Sequence, residues 1–395
     1  MHVATTPQPS PLEAVAAIAP VVREYADESE RIHQLADPVV AGMKRLGLFR
    51  CLTPKSLGGY EAEPSAWFRT VEAAARIDGS FGWILFINGG AGLAGKSMPE
   101  GEAEELFGDA DTIVAGSVYP FGKAVATTGG YTVSGRWSYA SGIAHATHVF
   151  GFAAVHDGDE LRMVMPGVPA VTPMLTPVAN IQRLTTWDVS GLCATGSHDF
   201  VIDQVFVPEK HALQLRSGTP NRHYAGPSYR LPFMTTFGHP MAAVALGIAQ
   251  HSIDELLTLA AAKTPAGPAA STLRERATFQ VQLAEAMALV ESARAWLHER
   301  LDAQYVVAQS GGDADLQLRN MMHLAASNAT RSASRAVELM YLAGGGTSNY
   351  RKSALQRCMR DIHAVTQHAG TAPGTWEAAG AVAAGLPSRN PLMLL

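Results

Sequence analysis

Cysteine is scarce in this chain. Its 395 residues include three, Cys51, Cys193 and Cys358, scattered and odd in number. They form no CxxC pair, which excludes a disulfide framework and a thiolate metal centre and fits a reduced, cytoplasmic setting. Charge is thin as well. Charged residues make up 16%, the formal net charge is -5, and no block of basic residues stands out, which excludes a nucleic-acid partner. Long apolar runs are missing. The most apolar stretch, 84–94, is interrupted by Gly89, Gly90 and Gly92 and is too short to span a bilayer, so no membrane role is expected. The first residues, MHVATTPQPSPLE, lack a basic region followed by an apolar run and so do not read as a secretory signal. The chain has no strand–GxGxxG–helix signature for a nicotinamide dinucleotide of its own, and no internal repeat.

Hydrophobic residues make up 47%, enough for a large core divided among about two or three domains. Residues 1–11 read as a loose polar tail. From 11 to 106, Ala, Val, Ile and Leu recur at helical spacing, with breaks at Gly47, at Leu57-Gly58-Gly59-Tyr60 and at Asp78-Gly79-Ser80. From 112 to 206 the chain changes to short β-branched and aromatic runs separated by Gly and Pro at about ten-residue spacing, as in a β-sandwich or barrel. A polar connector covers 209–231. Helical periods return at 241–263, 272–309, 315–343, 351–367 and 375–384, with TPAGPAAS at 264–271 as a linker; long helices with short links predict an antiparallel bundle. The expected fold is α+β: an N-terminal α-helical domain (1–108), a central β-sandwich or barrel domain (109–215) and a C-terminal four-helix bundle (216–395).

The stretch at 131–148, YTVSGRWSYASGIAHATH, is where a ligand site is expected. Val133, Trp137 and Tyr139 have the spacing of one strand face. Ala140-Ser141-Gly142 then breaks the strand, and a glycine there lets backbone approach a flat ligand closely. Ser141 adds a hydroxyl that both donates and accepts hydrogen bonds. Such a turn suits the edge of a planar heterocycle, though an ordinary strand and turn would read the same way.

With LGLFRCLTPKSLGGYEAEP, ARIDGSFGW, YTVSGRWSYASG, FVIDQVFVPE, LAEAMALVESARAWL and YLAGGGTSNYRKSALQRCMRDIHAVTQH in this order, the chain resembles the acyl-CoA dehydrogenase superfamily. It resembles most its flavin-dependent monooxygenase branch, the oxygenase components of two-component hydroxylases. The resemblance covers about 24–386. It implies that the isoalloxazine ring lies against Trp137, Ser141 and Gly142, with Ser141 near N5, and that the segment carrying Tyr119 lines its other side. It implies that Arg274, Arg276 and Gln280 reach the flavin phosphates or adenine, often of a neighbouring subunit. Gly345, Gly346 and Thr347 would approach the diphosphate or ribityl chain. The cofactor implied is reduced FAD, with FMN possible, and molecular oxygen is the co-substrate. A separate NAD(P)H-dependent flavin reductase and a homodimeric or homotetrameric assembly are implied too.

Two absences separate the branches. A dehydrogenase of this superfamily needs a carboxylate base, but 362–376 contains no Asp or Glu, and none occurs between Glu209 and Asp254. Both positions that the family uses for the base are empty. What stands near the first is His368, seven residues after Asp361, expected to titrate near neutral pH and to assist proton transfer. Asp361, beside Arg360, reads as a structural ion partner. Phenol-hydroxylating relatives carry a histidine some eight residues past the position of Trp83; here Asn88, Gly89 and Ala91 occupy that region. The pocket expected from Trp83, Asn88, Ala91 and His145 therefore favours a bulkier or already electron-rich substrate, such as an indole-type ring or an amine. His145 and His148 lie three apart without a third ligand, so no metal is expected.

The function expected is a reduced-flavin-dependent monooxygenase, hydroxylating an aromatic or heteroaromatic small molecule through a C4a-hydroperoxyflavin that Ser141 protects. An N-oxygenase of an amine or amino sugar, a dehydrogenase with an unusual base, and a catalytically silent flavin-fold interaction protein are the alternatives.

Overall fold

The computed structural model describes residues 9–213, 221–264 and 271–387. The tail at 1–8, most of the linker at 264–271 and the boundary at 215 fall outside the described residues.

Six helices open the chain: α1 (Pro11–Glu24), α2 (Ala26–Ile32), α3 (Asp37–Arg45), α4 (Pro64–Ile77), α5 (Gly79–Ile84) and α6 (Glu100–Gly108). Local chemistry sets their ends. Ser10 and Glu13 form a reciprocal capping box at the start of α1, satisfying backbone N–H groups that have no partner within the helix. Asp78 ends α4 and caps α5 by accepting from the Phe81 N–H at 2.9 Å. The apolar segment after Trp83 does not continue as one α-helix: it passes into a π-helical turn at Leu85–Gly89 and a 3₁₀ segment at Ala91–Ser97. Its glycines let it run against other backbone; a Cβ at Gly89 would lie 2.7 Å from the Leu48 carbonyl oxygen.

The central segment holds β1 (Val114–Thr127), β2 (Gly130–Ala140), β3 (His148–Asp157), β4 (Glu160–Leu161), β5 (Met163–Met165), β6 (Val168–Pro169), β7 (Val171–Pro177), β8 (Gln182–Arg183) and β9 (His198–Pro208). Seven of these form a mixed sheet in the order β4-β3-β1-β2-β9-β8, with β7 paired to β3; β5 and β6 form a separate ribbon. β1 runs parallel to β3 but jumps register between Ser117 and Gly122, so 118–121 bulge out of that ladder.

β2 departs from the expected alternation. Trp137 is fully buried, whereas Tyr139 is 70% exposed. The register of β2 on β9 slips between Trp137 and Ala140, and Tyr139 has φ 64°, so the two rings do not share a face. Trp137 stacks on Phe200 with ring centroids 5.2 Å apart and donates from Nε1 to the Phe152 carbonyl at 2.8 Å. Its ring fills a slot walled by Gly122, Gly135 and Gly151.

The bundle comprises α7 (Pro240–Ala262), α8 (Ala277–Gln309), α9 (Leu316–Gly344), α10 (Ala354–Thr366) and α11 (Pro373–Ala383). α7 is buried along most of its length, as expected of a helix enclosed by α4, α9 and α10. One core cluster runs from α1 through α4 and α5 into α7, α8 and α9, while Trp137, Phe200 and Ile202 centre a second one within the sheet.

Gly151→Ala tests the slot. The added Cβ would stand 2.5 Å from the Trp137 ring, and overpacking of this kind costs about 1–3 kcal/mol. Denaturant unfolding is expected to show that loss, with the midpoint moving to lower denaturant.

Candidate active site

The turn after β2 is held from both neighbouring parts of the chain. Asn88, on the π-helical turn, donates from Nδ2 to the Val114 carbonyl at 2.9 Å and to the Ser141 carbonyl at 3.3 Å. Gly142 has φ 75°, and a Cβ there would collide with the Asn88 amide. Asn88 thus fixes the turn that carries Ser141, and its buried Oδ1 has no hydrogen-bond partner.

The Ser141 hydroxyl is almost fully buried and lies between two side chains. It accepts from Trp83 Nε1 at 3.0 Å and lies 2.8 Å from the Ser197 hydroxyl. Ser197 in turn lies 2.7 Å from Thr195 Oγ1, which donates to the Leu192 carbonyl at 2.8 Å. His368 completes the cluster. Its ring meets Trp83 edge-to-face with centroids 5.7 Å apart, and Phe86 meets the other part of Trp83 at 5.4 Å.

His368 does not titrate near neutrality. Burial pushes it down to about 4, because charging an imidazole away from water is costly. Its Nδ1 accepts from the Gly370 N–H at 3.2 Å, so the proton of the neutral ring sits on Nε2. At pH 7 it offers an N–H donor, not a base of matched strength. Beneath it lies a buried pair that sequence reading missed: His239 Nε2 and His323 Nδ1 are 3.0 Å apart. Burial pushes His323 down to about 4 and His239 well below the ordinary histidine range. The two lie 84 positions apart in sequence, and no spacing rule joins them.

Asp361 also differs from its sequence reading. Its neighbour Arg360 pairs with Glu30 at 2.6 Å and donates to the Ser190 carbonyl. Asp361 itself is buried and accepts from the Leu192 N–H at 2.6 Å. Burial, reinforced by nearby Asp78, pushes its carboxyl up to about 7. It holds the Leu192 loop in place, and the nearby Arg360 charge acts on it without a direct ion pair between them.

Other expected site residues are placed as follows. Trp137 is sealed in the sheet core and has no free face for a ligand, so its assignment to the cofactor is corrected. Tyr139 is exposed instead, with its ring edge-to-face on Trp187 at 6.1 Å. Tyr119 lies on the 118–121 bulge, 66% exposed, its ring 4.6 Å from Phe121. His145 faces the N-terminal helices at Leu35 and Asp37, and burial holds it below its ordinary range; it does not join Trp83 and His368. Ala91 borders a tight apolar cleft, with about 30 Å³ of free space, together with Leu93, Phe150, Phe152, Phe233, Phe237 and a single cation, Lys96. Phe237, which lines this cleft, packs on Phe86 with ring centroids 6.4 Å apart, and Phe86 packs in turn on Trp83. Among the described residues, no group of three His, Cys, Asp or Glu is placed to hold a metal, and no helix is long and apolar enough to cross a membrane.

The remaining expected cofactor residues gather elsewhere. Lys263, just past the end of α7, donates to the Gly344 carbonyl at 2.6 Å and to Thr347 Oγ1 at 2.8 Å, and its carbonyl accepts from Leu273 at 2.8 Å. Gly345, Gly346 and Thr347 therefore adjoin the strand of chain that carries Arg274 and Arg276. Gln280 donates to the Arg274 carbonyl at 3.1 Å. His239, beside the Ser141 end, precedes the first residue of α7, and Lys263 follows its last. A helix of 23 residues spans roughly 35 Å, so the two groups of residues lie toward opposite ends of α7.

Comparisons with known proteins give the family. Residues 13–96 match the family model described as acyl-CoA dehydrogenase, N-terminal domain, and residues 240–373 match the acyl-CoA dehydrogenase C-terminal domain. Indole-3-acetate monooxygenase of Pseudomonas putida is 32% identical over 372 residues, covering 93% of this chain and 92% of that protein. The chain belongs to the acyl-CoA dehydrogenase superfamily, in its flavin-dependent monooxygenase branch. The flavin-dependent monooxygenase oxygenase subunit HsaA of Rhodococcus jostii strain RHA1 is 27% identical over 92% of this chain and 94% of its own length. The crystal structure of 3-HSA hydroxylase from Rhodococcus sp. RHA1 superposes with a TM-score of 0.89 at 26% identity, covering 98% of this chain and 99% of that one. This monooxygenase uses reduced flavin and molecular oxygen. It is an oxygenase component that works with a separate flavin reductase on a small molecule.

The residues around Ser141 fit the flavin ring. The bulge at 118–121 leaves backbone groups outside the β1–β3 ladder, Tyr119 and Tyr139 present exposed rings, and the Ser141 hydroxyl has capacity for one hydrogen bond beyond its two. These would hold the ring's edge and faces.

Asp361→Asn tests the buried carboxyl. The native fold keeps a proton on Asp361 up to about pH 7, whereas an unfolded Asp releases it near 3.9. The native state then binds more protons between these values, so stability falls as pH rises through that window. The Asn variant keeps an acceptor for Leu192 and cannot ionise. It is expected to lose less stability than the parent between pH 5 and pH 8, measured by denaturant unfolding at both.

Proposed function

We propose that this monooxygenase oxygenates an electron-rich aromatic or heteroaromatic carbon, with an indole-type ring as substrate. The observation that carries the reading is the cluster of Trp83, Ser141 and His368, packed through Phe86 and Phe237 against an aromatic-lined cleft with no carboxylate among its lining residues. Reduced flavin, when bound, supplies the electrons that activate oxygen. The chain's own part is position and dryness. Phe150, Phe152, Phe233 and Phe237 line the cleft with apolar rings and exclude water, which suppresses side reactions. His368 presents Nε2–H to an oxygen atom that gains charge, the role of a fixed donor in a site of low dielectric. Ser141 holds the flavin edge at N5.

The cation in the cleft sharpens the substrate. Lys96 Nζ donates to the Tyr229 carbonyl at 3.3 Å, and burial holds it below its ordinary range. An ammonium facing apolar rings gains from a carboxylate partner. Indole-3-acetate, which the Pseudomonas putida relative is named for, carries an indole ring and such a group. Cation and rings together support an aryl-acetate type of substrate in place of an amine or amino sugar.

We further propose that the flavin is FAD, whose tail reaches Arg274, Arg276, Gln280, Gly345, Gly346 and Thr347 of a neighbouring subunit. The separation along α7 supports this, as do the exposed Val281, Met287, Leu342 and Tyr350 on the same bundle surface. A homodimer or homotetramer in the cytoplasm, served by an NAD(P)H-dependent reductase, follows from that reading, as do domain boundaries near 108 and 215.

The deciding experiment mixes the protein with reduced flavin, oxygen and a panel of indoles, phenols and amino sugars, and reads products by mass. An oxygenated indole supports the proposal; oxygen incorporated only into an amine overturns it. Lys96→Met is expected to raise KM for indole-3-acetate about tenfold and leave KM for neutral indole unchanged. His368→Ala is expected to lower product formation about a hundredfold, in the range for loss of one fixed donor, with His368→Gln retaining more. Because His368 titrates near 4, kcat is expected to show no histidine step between pH 5.5 and 8.

A further inference from the structure

Four hydrogen bonds place Trp83, Ser141, Ser197, Thr195 and Leu192 in a row: Nε1 to Oγ at 3.0 Å, Oγ to Oγ at 2.8 Å, Oγ to Oγ1 at 2.7 Å, and Oγ1 to the Leu192 carbonyl at 2.8 Å. The two ends have fixed roles. An indole N–H only donates and a carbonyl only accepts, while each hydroxyl between them has one proton to give. The proton of Thr195 goes to Leu192. That of Ser197 then goes to Thr195, and that of Ser141 goes to Ser197. Ser141 Oγ also accepts from Trp83, so it retains a lone pair and no free proton.

We infer that this row holds Ser141 as an acceptor, and that Ser197 and Thr195 are positioning residues which make the site prefer reduced over oxidised flavin. The inference rests on the reading that flavin N5 meets Ser141. Reduced flavin carries a hydrogen at N5; oxidised flavin presents only a lone pair there. To donate to oxidised N5, all three hydroxyls must turn round, and the bond from Thr195 to Leu192 is lost. Reduced flavin then completes four bonds from N5 to Leu192, against three for oxidised flavin. One net hydrogen bond corresponds to about a fivefold preference.

The end of the row does not yield easily. Leu192 sits at φ 51° with its N–H held by buried Asp361 at 2.6 Å, and its carbonyl also accepts from the Thr195 N–H at 3.1 Å. The carbonyl therefore points at Thr195 whatever occupies the flavin site.

The test is the ratio of dissociation constants for oxidised and reduced FAD. The first is measured in air, the second under anaerobic conditions, each by flavin absorbance or fluorescence without substrate. The potential of the bound flavin is the second readout. Ser197→Ala and Thr195→Val each remove the difference in bond count, because Ser141 becomes free to turn either way. Both are expected to lower the ratio about fivefold, moving the bound potential down by about 20 mV for a two-electron couple. Thr195→Ser keeps the hydroxyl and is expected to keep the parent ratio. If both flavins bind Ser197→Ala or Thr195→Val with the parent ratio, the inference is wrong. The same holds if Thr195→Ser loses the preference as fully as Thr195→Val. A parent protein that binds neither flavin would instead overturn the reading that N5 meets Ser141.

Discussion

The contact on which most of this molecule depends is the buried carboxyl of Asp361. One oxygen accepts from Leu192 in the sheet segment; the other would stand only 2.8 Å from a Cβ added at Gly79. The N-terminal helices, the sheet and the bundle therefore meet at a single side chain. The approach is close on every side. Gly79 has no Cβ to push the carboxyl away, and Gly191 lets the Leu192 loop lie on the Arg360 carbonyl. Burying a charged carboxylate there would be expensive. A carboxyl that stays protonated to about pH 7 avoids much of that cost and still orients the loop.

From this anchor the order of the site follows. The Leu192 carbonyl orients Thr195, Thr195 orients Ser197, and Ser197 orients Ser141. Asn88 and Trp83 hold the same turn from the N-terminal side. A hydroxyl with every neighbour fixed is preorganised, and little of the binding energy of a ligand is spent on arranging it. The chemistry around it is built from neutral groups. His368, His239 and His323 are all held below the ordinary histidine range by burial, and no acid lines the adjoining cleft. A superfamily member that removes a carbon-bound proton needs a charged base over the ring. The proposed site has a neutral donor, His368, instead, which suits delivery of oxygen to a carbon that is already electron-rich.

Much of this was legible in the sequence. The Ser141-Gly142 turn, the missing acids at 362–376 and the position of His368 could be read directly, because each depends on local spacing or on a residue type in a motif. The helices could be read for the same reason: α1 and α4 have apolar periods and end signals in their own sequences. The failures have a common cause. Trp137 and Tyr139 keep strand alternation in sequence, but the slip at Tyr139 turns one ring out and seals the other in. Asp361 stands next to an arginine in sequence, yet its hydrogen bond in space comes from the Leu192 N–H. Ser197 and Thr195 join Ser141 across 56 positions only because β9 pairs with β2. The small-residue run CATGSH at 193–198 was the one available signal.

The length of α7 then decides a question that motif reading could not frame. Sequence resemblance assigns the Ser141 turn, the arginines at 274 and 276 and the glycines at 345 and 346 to one cofactor. The helix between His239 and Lys263 sets these groups toward opposite ends of its roughly 35 Å length. On the proposed arrangement, no single chain contains a whole site. Each flavin must then lie between copies, with its ring against the row of hydroxyls in one chain and its phosphates on the bundle end of another. Assembly would be a condition for cofactor binding, and Lys263, which ties Gly344 and Thr347 to the chain before Arg274, would act on the site of its neighbour.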